Sequence, residues 1–413
     1  MELELGREER VAVYGLGYVG TALAAVMLRA GFEVVGVDIS ERKVAEANSG
    51  HVKHVEAKVR ETVLRGVREG RFRATLNGVE ASRECKIKLV TVPVYLNRNF
   101  KPDFSSLKSA VKSIGLGAAR GDLVVLESSV PPGTTLRVVK PVLEESSGLV
   151  VGEELLLAYS PERIYIGRSV EDIEERYPKV VAGVGDRSLK AAVELYSRIS
   201  RRGVLTLSSP TAAEFEKLAE GVYRDVNIAL ANELAKLCTA LDIDYEEVRN
   251  AANSQPFSHL HMPGVGVGGY CVPVYPYFLM YAAERAGVDT PLVKLAREVN
   301  ASMPSYVASL VEVVRSELGL GDPRIAVLGL AFRGGIDDTR LSPTYDLLNY
   351  LLKKGFNDLV VHDPYVASDP LLSELEVELY RELLPAIEGR NLVVIATDHP
   401  EYRSLSLEFL KEA

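Results

Sequence analysis

Residues Arg10 to Asp38 constrain the fold more than any other part of the chain. Val11-Ala12-Val13-Tyr14 reads as a short buried strand, and Gly15-Leu16-Gly17-Tyr18-Val19-Gly20 follows at once. An apolar helical pattern through Leu23, Val26 and Met27 stops at Gly31, and a second strand, Glu33 to Val37, ends on Asp38. Strand, glycine loop, helix, strand and acid, in this order, are what a dinucleotide requires. Gly15 permits the tight turn, Gly17 lets the backbone approach a pyrophosphate, and Gly20 lets the helix pack on the strand. The helix N-terminus offers N–H donors and the positive end of its dipole to phosphate. Asp38 is expected to accept the ribose hydroxyls and to repel a 2′-phosphate, which favours NAD over NADP; Arg42 and Lys43 are nearby cations that pull the other way. The expected cofactor contacts are Gly15, Leu16, Gly17, Tyr18, Val19, Gly20, Asp38 and Lys43. The alternative is a Rossmann-like domain that no longer holds a nucleotide.

A chain of 413 residues is long enough for two or three domains with substantial cores. Its net charge of −9 gives no basic footprint for nucleic acid. No stretch reads as a transmembrane helix, and Met1 to Arg10, acidic and polar, is unlike a secretory signal. Cys85, Cys238 and Cys271 form too small and too odd a set for a disulfide framework, which points to a reducing cytoplasm. His259 and His261 stand in a loop without further ligands at metal spacing, so no metal site is expected.

Further strand-like runs occur at Ile87–Val92, Leu123–Leu126, Leu155–Tyr159 and Lys179–Ala182. Helical patterns lie between several of them, as in a parallel sheet with crossovers. From Thr211 to Leu241 runs a long helical pattern, with Phe215, Leu218, Val222, Val226, Leu230, Leu234 and Leu237 at three- and four-residue steps. At about 1.5 Å per residue such a helix exceeds ~40 Å, which suits a connector between domains or a subunit interface. Between Arg324 and Pro400 the opening logic repeats without a GxGxxG, as a second, smaller α/β domain suited to another nucleotide. The expected fold is therefore α/β, two Rossmann-like doubly wound domains joined by a long central helix. The expected boundaries are 1–200, 201–305 and 306–413, with ligands in a cleft between the two α/β domains.

Ahead of Cys271 stands Pro263-Gly264-Val265-Gly266-Val267-Gly268-Gly269-Tyr270. Glycines let a backbone come close to a ligand, and a cysteine ending such a loop is placed to act as a nucleophile. A buried structural cysteine beside a tight turn is the other reading.

With these pieces assembled, the chain resembles the nucleotide-sugar 6-dehydrogenases that act on UDP-glucose, GDP-mannose and UDP-N-acetylmannosamine. The resemblance runs in order through the glycine loop, Lys101-Pro102-Asp103, Ser128-Ser129-Val130-Pro131-Pro132-Gly133-Thr134-Thr135, Ser160-Pro161-Glu162-Arg163 and Glu214-Phe215-Glu216-Lys217-Leu218-Ala219-Glu220. It continues through Arg224-Asp225-Val226-Asn227, the Cys271 loop, Leu328-Gly329-Leu330-Ala331-Phe332-Arg333 and Asp337-Asp338-Thr339-Arg340-Leu341-Ser342-Pro343. It implies oxidation of a sugar C6 alcohol to a carboxylate with two NAD and one water, through a thiohemiacetal and a thioester on cysteine. Cys271 then matches the nucleophile, Lys217 the oxyanion partner, and Glu162, alone or through Ser129, the group that activates water. For Lys217 the competing reading is a solvated lysine beside Glu214 and Glu220; for Glu162 it is a surface-loop carboxylate. Arg340 and Ser129 match cofactor contacts. Substrate contacts are implied for Glu162, Arg163, Lys217, Arg224, Asn227, Gly264, Gly268 and Arg333, and salt bridges to Asp337 and Asp338 are the alternative for both Arg333 and Arg340. A homodimer through the central helix is also implied.

Several positions depart from the family pattern. Gly221 replaces an asparagine four residues after Lys217, and Tyr275 an aspartate four residues after Cys271. Val92-Pro93-Val94-Tyr95 loses a hydroxyl near the cofactor, and Gln255-Pro256-Phe257 lacks the family's sugar-binding arginine. Arg224-Asp225-Val226-Asn227 resembles the branch acting on UDP-N-acetylhexosamines. The leading expectation is a UDP-N-acetylmannosamine (or related HexNAc) 6-dehydrogenase. UDP-glucose 6-dehydrogenase and a catalytically impaired nucleotide-binding relative are the alternatives.

Overall fold

The computed structural model describes residues 9–412. The segment Met1–Glu8, most of the N-terminal stretch read above as unlike a secretory signal, lies outside the described residues. The chain divides into two compact units, one running up to Ala219 and including Tyr281–Val288, the other comprising Glu220–Met280 and the chain from Asp289 onward.

In the first unit, β1 (Arg10–Tyr14), β2 (Glu33–Val37), β3 (Phe72–Thr75), β4 (Ile87–Val90), β7 (Leu123–Leu126), β8 (Leu156–Tyr159), β9 (Lys179–Gly183) and β10 (Val204–Thr206) form one sheet. The short strands β5 (Tyr95–Leu96) and β6 (Pro102–Asp103) pair with each other as an antiparallel ribbon. The sheet order is β10-β9-β8-β7-β4-β1-β2-β3, and β3 through β8 run parallel in the Rossmann arrangement. Strands covered on both faces need continuous apolar runs, and Val11–Tyr14 and Leu123–Leu126 are at most 2% exposed. The helix Tyr18–Arg29 buries every residue from Gly20 to Leu28, each large apolar side chain contributing about 1.5–3 kcal/mol by its removal from water. It ends where Gly31 takes φ +95°, a left-handed conformation that glycine adopts without steric cost.

The run of strands read as parallel is not parallel throughout, because β8 and β9 pair antiparallel, Tyr159 opposite Ala182. The head of β9 therefore lies beside the carboxyl end of β8.

The second unit holds β11 (Ile325–Leu328), β12 (Leu359–His362), β13 (Glu378–Tyr380) and β14 (Leu392–Ile395) in a parallel sheet ordered β13-β12-β11-β14. Asp363 ends β12 where Asp38 ends β2, but five donors already claim it: the N–H groups of Leu330, Ala331, Tyr365 and Val366, and Nε2 of His399. A ribose would find no free acceptor there, which accounts for a second Rossmann-like domain without a second dinucleotide fingerprint. The long helix spans Pro210–Ala240, and a second helix, Pro291–Glu317, lies along the part of it that belongs to this unit. There the buried amide of Asn300 joins Asn232 at 2.9 Å and Asp225 at 2.9 Å, and Arg297 pairs with Asp225.

Candidate active site

The carboxyl ends of parallel strands are where an open α/β sheet binds ligands, and in the first unit the motifs gather there. Gly15 follows β1, Thr91 follows β4, Glu127 to Ser129 follow β7, and Ser160 to Arg163 follow β8. Gly15 adopts φ +97°, and the Thr91 hydroxyl fastens the loop by donating to the carbonyls of Tyr14 and Gly15. A Cβ at Gly20 would land on the Gly15 carbonyl, whereas a Cβ at Gly17 would meet nothing within 4 Å. Gly20 is thus required by close packing, and Gly17 leaves an open approach to the helix N-terminus, as a pyrophosphate needs.

Asp38 is 8% exposed and accepts the Leu16 N–H at 2.9 Å and the Ser40 N–H at 3.0 Å. The two cations that opposed an NAD reading are both spoken for: Lys43 Nζ lies 3.2 Å from Asp38, and Arg42 pairs with Glu46 at 2.9 Å. The Tyr18 ring stacks on His54, and its hydroxyl donates to Glu56 and accepts from the Gly167 N–H. Val19 sits half-buried in the first turn of the helix.

Glu162 is buried rather than set on a surface loop. One carboxylate oxygen accepts the Arg163 N–H, and the other lies 2.7 Å from Lys179 Nζ at the head of β9. Lys179 also meets Glu127 at 2.9 Å, and the Tyr196 hydroxyl donates to the far oxygen of Glu127 at 2.5 Å. Burial opposes the charge on Lys179, but Glu127 and Glu162 outweigh it, so the ammonium titrates above the ordinary lysine range. Burial pushes the Glu127 carboxyl up against the pull of Lys179.

Lys217 is also buried, not a solvated lysine. Its expected neighbour Glu214 instead accepts from the Gly133 and Thr135 N–H groups and from the Thr135 hydroxyl, so it clamps the Pro131-Pro132-Gly133 turn. Burial raises Glu214 to about 7. Ser129 is half-buried just beyond β7, and Arg163 spans from Glu216 at 3.5 Å to the face of Tyr177.

Cys271 is exposed in a turn in which Val274 and Tyr275 donate to its carbonyl. The reason for the preceding glycines differs from the expected one. A Cβ at Gly268 would lie 2.5 Å from Phe332 Cβ and 2.7 Å from the Leu341 carbonyl, and one at Gly266 2.8 Å from Pro343 Cβ. The Gly269 N–H donates to the Arg340 carbonyl. These glycines let the loop pass against the Phe332–Pro343 segment, so they serve protein packing before any ligand. The Gly264 N–H is likewise taken, by Asn232 at 2.9 Å.

Arg340 holds Asp338 through two hydrogen bonds of 2.7 and 2.5 Å and lies 4.9 Å over the Tyr270 ring, so the salt bridge weighed for it is present. Arg333 is half-buried in the loop after β11. Arg224 and Asn227 direct side-chain nitrogens to the helix carbonyls of Glu220 and Tyr223. His259 and His261 are not isolated: their rings meet edge to face, 5.3 Å between centroids. Gly221 and Tyr275 belong together, since a Cβ at Gly221 would fall on Cδ2 of Tyr275 and within 3.2 Å of Cγ and Cε2. The residues that sequence reasoning missed are Lys179, Glu127, Tyr196 and the clamp at Glu214.

The chain matches the UDP-glucose/GDP-mannose dehydrogenase family in three parts: the NAD binding domain over residues 9–200, the central domain over 211–302 and the UDP binding domain over 326–413. It belongs to that family. Among its relatives, the UDP-N-acetyl-D-mannosamine dehydrogenase of Pyrococcus horikoshii is 34% identical over 97% of this chain and 91% of that protein. The NDP-N-acetyl-D-galactosaminuronic acid dehydrogenase of Ralstonia solanacearum is 33% identical over 97% of this chain and 93% of that protein. A solved structure of a UDP-D-ManNAc dehydrogenase from Pyrococcus horikoshii superposes with a TM-score of 0.88 at 33% identity, covering 98% of this chain and 92% of the other.

As a member of the UDP-glucose/GDP-mannose dehydrogenase family, this protein is an NAD-dependent nucleotide-sugar dehydrogenase. The residues of the first unit fit the cofactor: the open approach at Gly17, the helix N-terminus for phosphate and Asp38 for ribose. NAD held there would supply the hydride acceptor. Among the described residues no helix is long and apolar enough to cross a membrane.

Proposed function

We propose that this protein oxidises the C6 alcohol of UDP-N-acetylmannosamine, or a closely related UDP-N-acetylhexosamine, to the uronic acid, with Cys271 as nucleophile. The exposed Cys271 at the end of a loop anchored to Phe332, Arg340 and Pro343 carries the reading. The names and identities of the relatives support the HexNAc substrate.

In this reading the alcohol loses a hydride and a proton to become the aldehyde. The Cys271 thiolate adds to its carbonyl carbon, and Lys217 stabilises the resulting oxyanion. Loss of a second hydride leaves the thioester. Water then attacks as Glu162 takes its proton, assisted by Ser129; the C–S bond breaks and the thiolate departs. The sum is one alcohol, two NAD and one water giving one carboxylate, two NADH and three protons. Ser129, Arg340 and Lys43 support the cofactor, and Arg163, Arg224, Asn227, Gly264, Gly268 and Arg333 the nucleotide sugar, across regions 1–200, 201–305 and 306–413. The protein works as a cytoplasmic enzyme supplying sugar acids for polysaccharide assembly.

A homodimer through the long helix is part of the same reading. Phe215, Tyr223, Leu230 and Leu237 on that helix are each about half exposed, an apolar row that a second copy would cover. The experiment is NADH absorbance with a panel of UDP-sugars. The highest kcat/KM is expected for UDP-N-acetylmannosamine among the N-acetylhexosamines, and a clear preference for UDP-glucose would overturn the assignment.

A further inference from the structure

Behind Glu162 lies a charged group that the reaction scheme does not use. Lys179 stands between two carboxylates, 2.7 Å from Glu162 and 2.9 Å from Glu127, and all three side chains are buried. The Tyr196 hydroxyl closes the far side of Glu127, and the Lys179 ammonium lies 5.1 Å over the Tyr196 ring. Two buried acids share one buried cation, so Lys179 serves neither carboxylate alone. Burying such a row carries a desolvation cost that its stability alone does not explain. The antiparallel pairing of β8 and β9 is what brings the head of β9 to Glu162.

We propose that Lys179 is the positioning residue for Glu162, holding its carboxylate in one orientation for proton transfer, and that Glu127, clasped by Tyr196, sets how strongly Lys179 does so. The inference rests on the reading of Glu162 as the group that activates water. An ammonium beside a carboxylate favours the charged form, and a second carboxylate on the same ammonium divides that favour. Glu127 is therefore a brake on the hold that Lys179 exerts. The other groups facing Glu162 are already engaged. Arg163 pairs with Glu216, the Tyr177 hydroxyl donates to the Arg163 carbonyl, and Asp172 accepts the Tyr165 N–H and meets Arg168. Arg163, Asp172 and Tyr177 line, with Glu162 and Lys179, a void of about 10 Å³.

Opposite shifts in the pH dependence of kcat test this. Lys179→Met removes the ammonium, so the acid limb should move to higher pH by ~1 unit or more. Glu127→Gln keeps the shape, leaves Lys179 to Glu162 alone, and should move the acid limb to lower pH while KM changes little. A structural role alone would reduce activity without displacing the limb in two directions. Glu162→Gln separates the two readings. If that variant keeps the wild-type limb, Glu162 is not the base and the reaction scheme is at fault. If Glu162→Gln removes the limb while Glu127→Gln leaves it in place or raises it, the proposal fails even should Lys179→Met not fold.

Discussion

At the scale of single residues, the pairing of Gly221 with Tyr275 shows how a substitution can be misread in isolation. As separate departures from the family pattern they look like two losses at one site. In the fold they are one exchange, because the Tyr275 ring fills the space that a side chain at 221 would need. Gly221→Ala should therefore cost stability. Helix propensity favours alanine by about 0.5–1 kcal/mol, but overpacking against a buried ring costs about 1–3 kcal/mol. In a Tyr275→Ala background the same change should become stabilising, which urea melts of the four proteins would show; additive effects would disprove the coupling. Cys271→Ser should abolish formation of the acid, because serine is barely ionised near neutrality and its ester hydrolyses poorly. Product analysis by chromatography checks this, and unchanged acid output would end the covalent scheme. Gly221 and Tyr275 are each legible in the sequence as departures, but their pairing depends on packing between segments far apart in the chain.

Elements were legible where the physics is local. The glycine loop, its flanking strands and the acid at Asp38 declare themselves because each step depends on neighbours in the chain. The Lys179–Glu162 contact was hidden because it depends on strand direction. A lysine at the head of a strand reads as solvent-facing until β8 and β9 prove antiparallel. The glycines before Cys271 were legible as a close approach, though not as an approach to Phe332 and Pro343. Asp38→Ala should weaken NAD binding and raise the NADP/NAD ratio, since it removes the ribose acceptor, loosens the loop at Leu16 and frees Lys43 for a phosphate. Titration of both cofactors measures it, and an unchanged ratio would count against Asp38 as the selector. The Glu214 clamp should be pH-sensitive. Its carboxyl is raised to about 7 by burial, and the Thr135 hydroxyl can reverse to accept from the protonated form. Stability from this group is full below about pH 4.5 and is lost as pH rises through about 7, an effect of order 3 kcal/mol. Melting temperature should fall between about pH 5 and 8 in the wild type more steeply than in Glu214→Gln; parallel curves would show Glu214 ionised throughout.

At the scale of the whole molecule, two Rossmann-like domains divide the work between dinucleotide and nucleotide sugar, and the acids at the two equivalent strand ends record that division. Asp38 keeps acceptor capacity at an exposed loop, whereas Asp363 is consumed by five internal donors. The apolar row along the long helix predicts a dimer by light scattering, and Leu230→Arg with Leu237→Arg should yield monomers; a monomeric wild type would remove that part of the account. Two-step oxidation at one cysteine is tested most directly by stoichiometry. With UDP-N-acetylmannosamine limiting and NAD in excess, NADH absorbance at completion should equal two NADH for each sugar consumed, with no free aldehyde trapped by hydroxylamine. One NADH per sugar, or aldehyde accumulating in the trap, would contradict it.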